Sequence, residues 1–193
     1  MGVNMINVTI NGEKLIFETT DGVFSPHCVD RGTLAMINDV EFTSTDKLLD
    51  LGCGYGAVGI YAAKIIGAQN VVMCDVDNLC VELSERNAAM NGVGAIRVIR
   101  SCGFEDIYDA DFTLILSNPP YHADFSVPKH FIEKGFNRLK IGGKMYMVTK
   151  RRDWYKNKFI AVFGGVKITE RDGYFVFCAE KRGARYAGAK RKK

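Results

Sequence analysis

The chain has 193 residues, 47% of them hydrophobic and 25% charged, which is enough for one well-buried domain and few for two. No apolar run approaches the roughly 18 residues that cross a membrane. The segment Met1-Gly2-Val3-Asn4-Met5-Ile6 has neither the basic flank and apolar core of a signal peptide nor the hydroxyl residue of a myristoylation signal.

The net charge of +4 is local: seven of the 26 Lys and Arg fall between Lys181 and Lys193, which leaves a body near −3 with 19 basic residues against 22 acids. Taken in order, Asn7 to Thr20 reads as a hairpin, with Val8, Ile10, Leu15 and Phe17 apolar and Asn11-Gly12 as its turn. Asp21-Gly22 is a second turn, followed by Val23-Phe24-Ser25-Pro26. Asp30 suits the N-cap of a helix carrying Leu34, Met36 and Ile37.

From Lys47 onward strands and helices alternate. Strands are expected at Lys47 to Leu51, Val71 to Cys74, Ile96 to Ile99, Phe112 to Leu116 and Lys144 to Thr149. Helices are expected at Ala57 to Ile66, Asn78 to Met90 and Arg151 to Phe163. Another should run from a Ser126 cap to Leu139, stopped by Gly142-Gly143. Val166 to Thr169 and Phe175 to Cys178 flank Asp172-Gly173 as a closing hairpin. The pattern predicts an α/β fold: a mostly parallel sheet, helices on both faces and one antiparallel strand. It reads as a single domain over residues 1–180, with a hairpin-and-helix appendage at 1–45. The basic tail, 181–193, is expected to be mobile, serving either polyanion binding or solubility.

Six cysteines, Cys28, Cys53, Cys74, Cys80, Cys102 and Cys178, lack any Cys-x-x-Cys pair. That spacing does not supply a zinc site, and no metal is expected. They read as small hydrophobes in a reducing cytoplasm.

Two motifs carry chemistry. Asn118-Pro119-Pro120-Tyr121 follows the apolar run Phe112 to Leu116. Two prolines end a strand without hydrogen-bond donors, freeing the carbonyls of Asn118 and Pro119. The Asn118 amide adds an acceptor and Tyr121 a flat ring, a combination suited to a planar NH2 group and the ring that bears it. The second motif is Asp50-Leu51-Gly52-Cys53-Gly54-Tyr55-Gly56, between a strand and a helix. Glycines there let a ligand approach the backbone at a helix N-terminus, and Asp75, ending the next strand, can accept ribose hydroxyls. Gly54 to Gly59 also fits a dinucleotide pattern. However, Asp50 before the loop would repel a pyrophosphate and suits a ligand with a positive amino group.

Together these residues resemble the class I S-adenosylmethionine-dependent methyltransferases. Asp21-Gly22-Val23-Phe24-Ser25, Val29-Asp30-Arg31-Gly32-Thr33 and Gly173-Tyr174 to Cys178 are similar to its small-domain group. That group includes ribosomal RNA small-subunit methyltransferase C proteins, which methylate a guanine amine. The resemblance covers roughly residues 10 to 180, without the duplicated N-terminal half of some members.

The resemblance implies a Rossmann-like, seven-stranded sheet. It places the cofactor's methionine part on Asp50, Gly52, Cys53, Gly54 and Gly56, its ribose on Asp75, and its adenine against Val76, Cys102 and Gly103. Asn118, Pro119, Pro120 and Tyr121 would hold the accepting base, with guanine N2 in ribosomal RNA or a ribosomal subunit as the expected substrate. Adenine N6 methylation, glutamine side-chain methylation and a non-catalytic RNA-binding module are the alternatives. His122 is a candidate substrate contact, while His27 and His130 read as surface or helix residues. Trp154 with Arg151, Arg152 and Lys156 reads as a solvated amphipathic face, the alternative being an RNA-facing patch.

Overall fold

The computed structural model describes residues 2–120 and 124–188. Tyr121 and His122, both expected near the substrate, lie outside the described residues, as do Lys190 to Lys193 of the tail. β1 (Val3–Ile10) and β2 (Glu13–Thr20) form the expected hairpin. Asn11 and Gly12 both take positive φ, 47° and 91°, as a type I′ turn requires.

The remaining elements are α1 (Arg31–Asp39), β3 (Leu48–Leu51), α2 (Ala57–Ile66), β4 (Val71–Asp75), α3 (Asn78–Met90), β5 (Arg97–Arg100), β6 (Phe112–Ser117), α4 (Ser126–Arg138), β7 (Leu139–Thr149), α5 (Arg152–Phe163), β8 (Lys167–Arg171) and β9 (Tyr174–Glu180). The main sheet has seven strands in the order β5-β4-β3-β6-β7-β9-β8. All neighbours pair in parallel except those of β9, which runs antiparallel between β7 and β8. The expected Rossmann-like α/β fold is thus borne out.

Strand residues alternate between two cores. Leu48, Met73, Leu116 and Val148 face α1, α2, α3 and the hairpin. Leu49, Val72, Ile115 and Met147 face α4 and α5. Gly59 lets α2 settle on β4, since a Cβ there would lie 2.4 Å from Met73 Sδ.

The hairpin contributes more than an appendage would. Ile10, Leu15 and Phe17 are buried in the first core. Asn87 on α3 and Asn91 at its C-cap, one turn apart, satisfy the free edge of β2. Asn91 Oδ1 accepts from Ile16 N at 3.1 Å and Asn87 Oδ1 from Glu18 N at 2.7 Å. Their Nδ2 groups donate to the carbonyls of the same two residues. Two side-chain amides thus stand in for a neighbouring strand.

Two expectations about α4 need correction. Gly142-Gly143 does not stop α4; that helix ends at Arg138 and β7 begins at once. The glycines sit inside β7, where Gly142 takes φ 84° and a Cβ on Gly143 would meet the Phe112 carbonyl at 2.8 Å. Ser126 does not cap α4, because Asp124 Oδ1 accepts from Ser126 N at 2.7 Å and does that work.

The described part of the tail is docked. Lys181 N donates to Gly143 O, and buried Lys181 Nζ donates to Leu139 O at 2.6 Å. Tyr186 packs edge-on to Phe136, and its hydroxyl donates to Glu133 O. The amides of Ala187 and Gly188 donate to Val162 O and Ala161 O at the end of α5. Composition suggested mobility here, but specific backbone pairing and one aromatic outweigh it.

Candidate active site

β3 and β6 are adjacent and parallel, at the point where the strand order reverses. Their carboxyl ends open the crevice in which such folds bind ligands. Ser117 Oγ donates to Leu51 O at 2.7 Å, tying the two strand ends together. The crevice is a cleft of about 480 Å³.

The glycine loop forms its floor. Gly52, Gly54 and Gly56 all take positive φ, and Gly56 is the left-handed N-cap of α2. The amides of Gly52 and Cys53 donate to Cys74 O, which pins the loop to the end of β4. Asp50 is buried, and its Oδ2 accepts from Gly59 N at 2.8 Å in the first turn of α2. Burial pushes its carboxyl up to about 7, against the lowering pull of the Gly59 amide, and the nearby Asp75 charge raises it further. A buried carboxylate with a single amide donor among the described residues is what a ligand's ammonium group would relieve.

Asp75 is committed to the loop through both oxygens. Oδ2 accepts from Gly54 N at 2.9 Å and Oδ1 from Asp77 N at 3.0 Å. Each oxygen keeps a further lone pair for a ribose hydroxyl. Val76 is 60% exposed and lines the cleft beside Cys102 and Gly103. Ser101 Oγ donates to Gly103 O at 3.0 Å and holds that turn.

Asp50, Gly52, Cys53, Gly54, Asp75 and Val76 therefore share one cleft with Cys102, Gly103, Asn118, Pro119 and Pro120. Gly56 acts from behind as the helix cap rather than in the lining. Burial raises the thiols of Cys53 and Cys74, the latter to about 12, which leaves them inert at neutral pH. Cys28 and Cys102 are exposed rather than buried hydrophobes. Among the described residues, no group of three His, Cys, Asp or Glu could hold a metal.

Asn118 is held from behind. Its Nδ2 donates to Asp30 Oδ2 at 3.0 Å and to Thr33 Oγ1 at 2.9 Å. Its Oδ1 is buried and has no hydrogen-bond partner among the described residues. An unsatisfied buried acceptor is costly, and in a cleft it marks the place of a ligand's donor.

Asp30 and Thr33 did not emerge as site residues from the sequence. Asp30 caps α1 as expected, Oδ2 accepting from Thr33 N at 2.9 Å, and its Oδ1 also accepts from the Tyr174 hydroxyl at 3.1 Å. The available signal was the spare acceptor capacity of a cap carboxylate. The loop Gly22, Val23, Phe24 and Ser25 forms a further wall, with Ser25 held at φ 54°.

The Methyltransferase small domain family model matches residues 14–178. The chain belongs to this methyltransferase family. The class I resemblance read from the glycine loop, Asp75 and the Asn-Pro-Pro-Tyr segment is therefore borne out, as is the small-domain group read from Asp21 to Ser25, Val29 to Thr33 and Gly173 to Cys178. Among relatives of this small-domain methyltransferase, the uncharacterized protein YbxB of Bacillus subtilis is 30% identical over 178 residues, covering 89% of each chain. Ribosomal RNA small subunit methyltransferase C of Pseudoalteromonas atlantica is 30% identical over 165 residues, covering 83% of this chain and 48% of its own. A T. thermophilus 16S rRNA N2 methyltransferase, solved in complex with AdoMet and guanosine, superposes with a TM-score of 0.78 at 26% identity, covering 92% of this chain and 50% of that one. The chain spans about half the length of these ribosomal RNA methyltransferases. No helix among the described residues is long and apolar enough to cross a membrane.

Proposed function

We propose that the protein is an S-adenosylmethionine-dependent N-methyltransferase acting on the exocyclic amine of an RNA base, namely guanine N2 in ribosomal RNA. The single observation that carries this reading is the buried Asn118 Oδ1, which has no hydrogen-bond partner among the described residues and belongs to a residue lining the family's cofactor cleft. The names of the related methyltransferases favour ribosomal RNA, and the T. thermophilus N2 methyltransferase solved with guanosine favours guanine. A cytoplasmic location belongs to the same proposal.

The cleft fits the cofactor. Asp50 offers a negative charge for its ammonium group, Asp75 offers lone pairs for its ribose, and Val76, Cys102 and Gly103 offer an edge for its adenine. When bound, S-adenosylmethionine supplies an electrophilic methyl group on positive sulfur.

The chain's own task is positioning and charge. Asn118 Oδ1 accepts a proton of the substrate NH2, and the Pro119 carbonyl is assigned the other. Both bonds favour a pyramidal nitrogen and stabilise the positive charge that develops on it. Tyr121 is assigned stacking on the base, a contact worth ~1–3 kcal/mol. An amide is no base, so after transfer the surplus proton passes from nitrogen to water.

The test is labelled methyl transfer to ribosomal subunits, transfer RNA and release factors, followed by nucleoside and amino-acid analysis. N2-methylguanosine in small-subunit RNA is expected. N6-methyladenosine or methylglutamine would replace the assigned acceptor, and absence of transfer to all of them would overturn the reading.

A further inference from the structure

Beside the exit of β6 lies a band of cations and aromatic rings that the methyl-transfer chemistry does not use. β6 and β7 pair Ser117 with Met147, so the chain beyond Thr149 leaves the sheet beside the Asn118-Pro119-Pro120 exit. Lys150, Arg151 and Arg152 follow directly, and all three are exposed. Lys150 Nζ lies 4.8 Å over the Tyr174 ring, whose hydroxyl binds the same Asp30 that holds Asn118. The Arg151 guanidinium lies 4.9 Å from the centre of Phe125, and Phe125 stacks on Trp154 at 4.5 Å with 21° between the planes. Arg152 lies 5.9 Å over Phe175.

The charge of the two arginines is weakly compensated. Among the described residues no carboxylate lies within ion-pair distance of Arg151, and the only acid beside Arg152 is Asp153 at 3.8 Å, itself 87% exposed. Water screens such a pair heavily. A solvated helix face does not need planar cations laid over planar rings. A chain of phosphates with unstacked bases does, since phosphates seek the charge and bases stack on guanidinium and aromatic planes.

We infer that this band, Lys150 to Arg152 with Phe125, Trp154 and Phe175, binds the single-stranded nucleotides that flank the target base. Lys150 and Arg152 contact phosphates, and the Arg151–Phe125–Trp154 stack receives a neighbouring base. The inference rests on the RNA-base reading above. It adds a reason for preferring an accessible loop over a duplex, because strands already unpaired can reach both the band and the cleft at once.

The probe is a labelled single-stranded RNA of roughly 12 nucleotides, titrated at several salt concentrations against the full chain. Lys150→Ala with Arg152→Ala should weaken binding about tenfold and reduce the slope of log affinity against log salt by about 1.4, or about 0.7 per phosphate contact. Trp154→Ala and, independently, the exposed Arg151→Ala should weaken binding severalfold with the slope nearly kept for Trp154→Ala. S-adenosylmethionine affinity and thermal unfolding report that each variant is folded. Folded variants that bind the RNA as the parent does, at the parent's salt slope, would overturn the inference, and methyl transfer by those same variants would show that the RNA-base reading survives it. Loss of binding to ribosomal subunits with unchanged binding to protein-free RNA would assign the band to a protein partner instead and also overturn it. If the parent binds RNA through the band yet methylates no RNA, the functional reading fails and the band stands.

Discussion

Asn118 Nδ2 and Asp30 Oδ2 meet at 3.0 Å across 88 residues of sequence, joining the exit of β6 to the cap of α1. The amide's donor side is thereby spent on Asp30 and on Thr33 Oγ1, and its carbonyl is left toward the cleft. The Asp30 carboxylate also sets negative charge behind that amide, which favours positive charge developing on a substrate amine. Asp30→Ala should lower kcat by about 100-fold, the loss expected when a reacting partner is misplaced. S-adenosylmethionine affinity by calorimetry should stay at the parent value, as it should in Asn118→Ala, whose turnover should vanish. A kcat for Asp30→Ala equal to the parent's would remove the positioning role.

Asp75 couples the two halves of the cofactor cleft, because one carboxylate fixes the glycine loop at Gly54 and still has lone pairs for a ligand. Asp75→Ala should abolish S-adenosylmethionine binding. Retention of the parent's affinity in calorimetry would sink the cofactor assignment.

Much of this was legible because local chemistry and fold agreed. Glycines at positive φ, a strand ended by prolines and an Asn-Gly turn each announce one backbone state, and the alternation of strands and helices announced the parallel sheet. Asp30 was legible as a helix cap and as part of the family resemblance, but not as the residue that holds Asn118. Its other two partners, Asn118 and Tyr174, arrive from 88 and 144 residues away, and no local pattern reports such a meeting. The pair Asn87 and Asn91 was equally silent, since amides on a helix face read as solvated until a strand edge lies against them. Gly142-Gly143 misled for the opposite reason. Glycine marks a helix stop and a close backbone approach alike, and only the neighbouring Phe112 carbonyl decides between them.

The docked segment after β9 makes a stability prediction. Tyr186 sets its ring 5.0 Å from Phe136 and its hydroxyl on Glu133 O at 2.8 Å, closing the second core between α4 and α5. Tyr186→Ala removes a half-buried ring and a hydrogen bond, together about 2 kcal/mol. In a domain of this length that corresponds to a fall in Tm of roughly 4–8 °C. A melting curve superimposable on the parent's would return this segment to the status of a mobile tail.

Asp50 links stability to ligand binding through pH. Its carboxyl rises from 3.8 to about 7, mainly by burial, so the folded chain holds this proton more tightly than the unfolded chain does. Ionising it therefore costs stability progressively between about pH 4 and pH 7, and the cost is complete above that. Asp50→Asn should be more stable than the parent above pH 7 by as much as about 4 kcal/mol, and the difference should fade toward pH 4. Cofactor affinity should move the other way. Below pH 7 the parent loses the negative charge that faces the ligand's ammonium, so its affinity should fall between pH 8 and pH 6. The Asn variant should bind weakly at every pH. Calorimetry and denaturant melts across that range check both halves, and a parent affinity flat from pH 8 to pH 6 would mean that Asp50 holds no cation there.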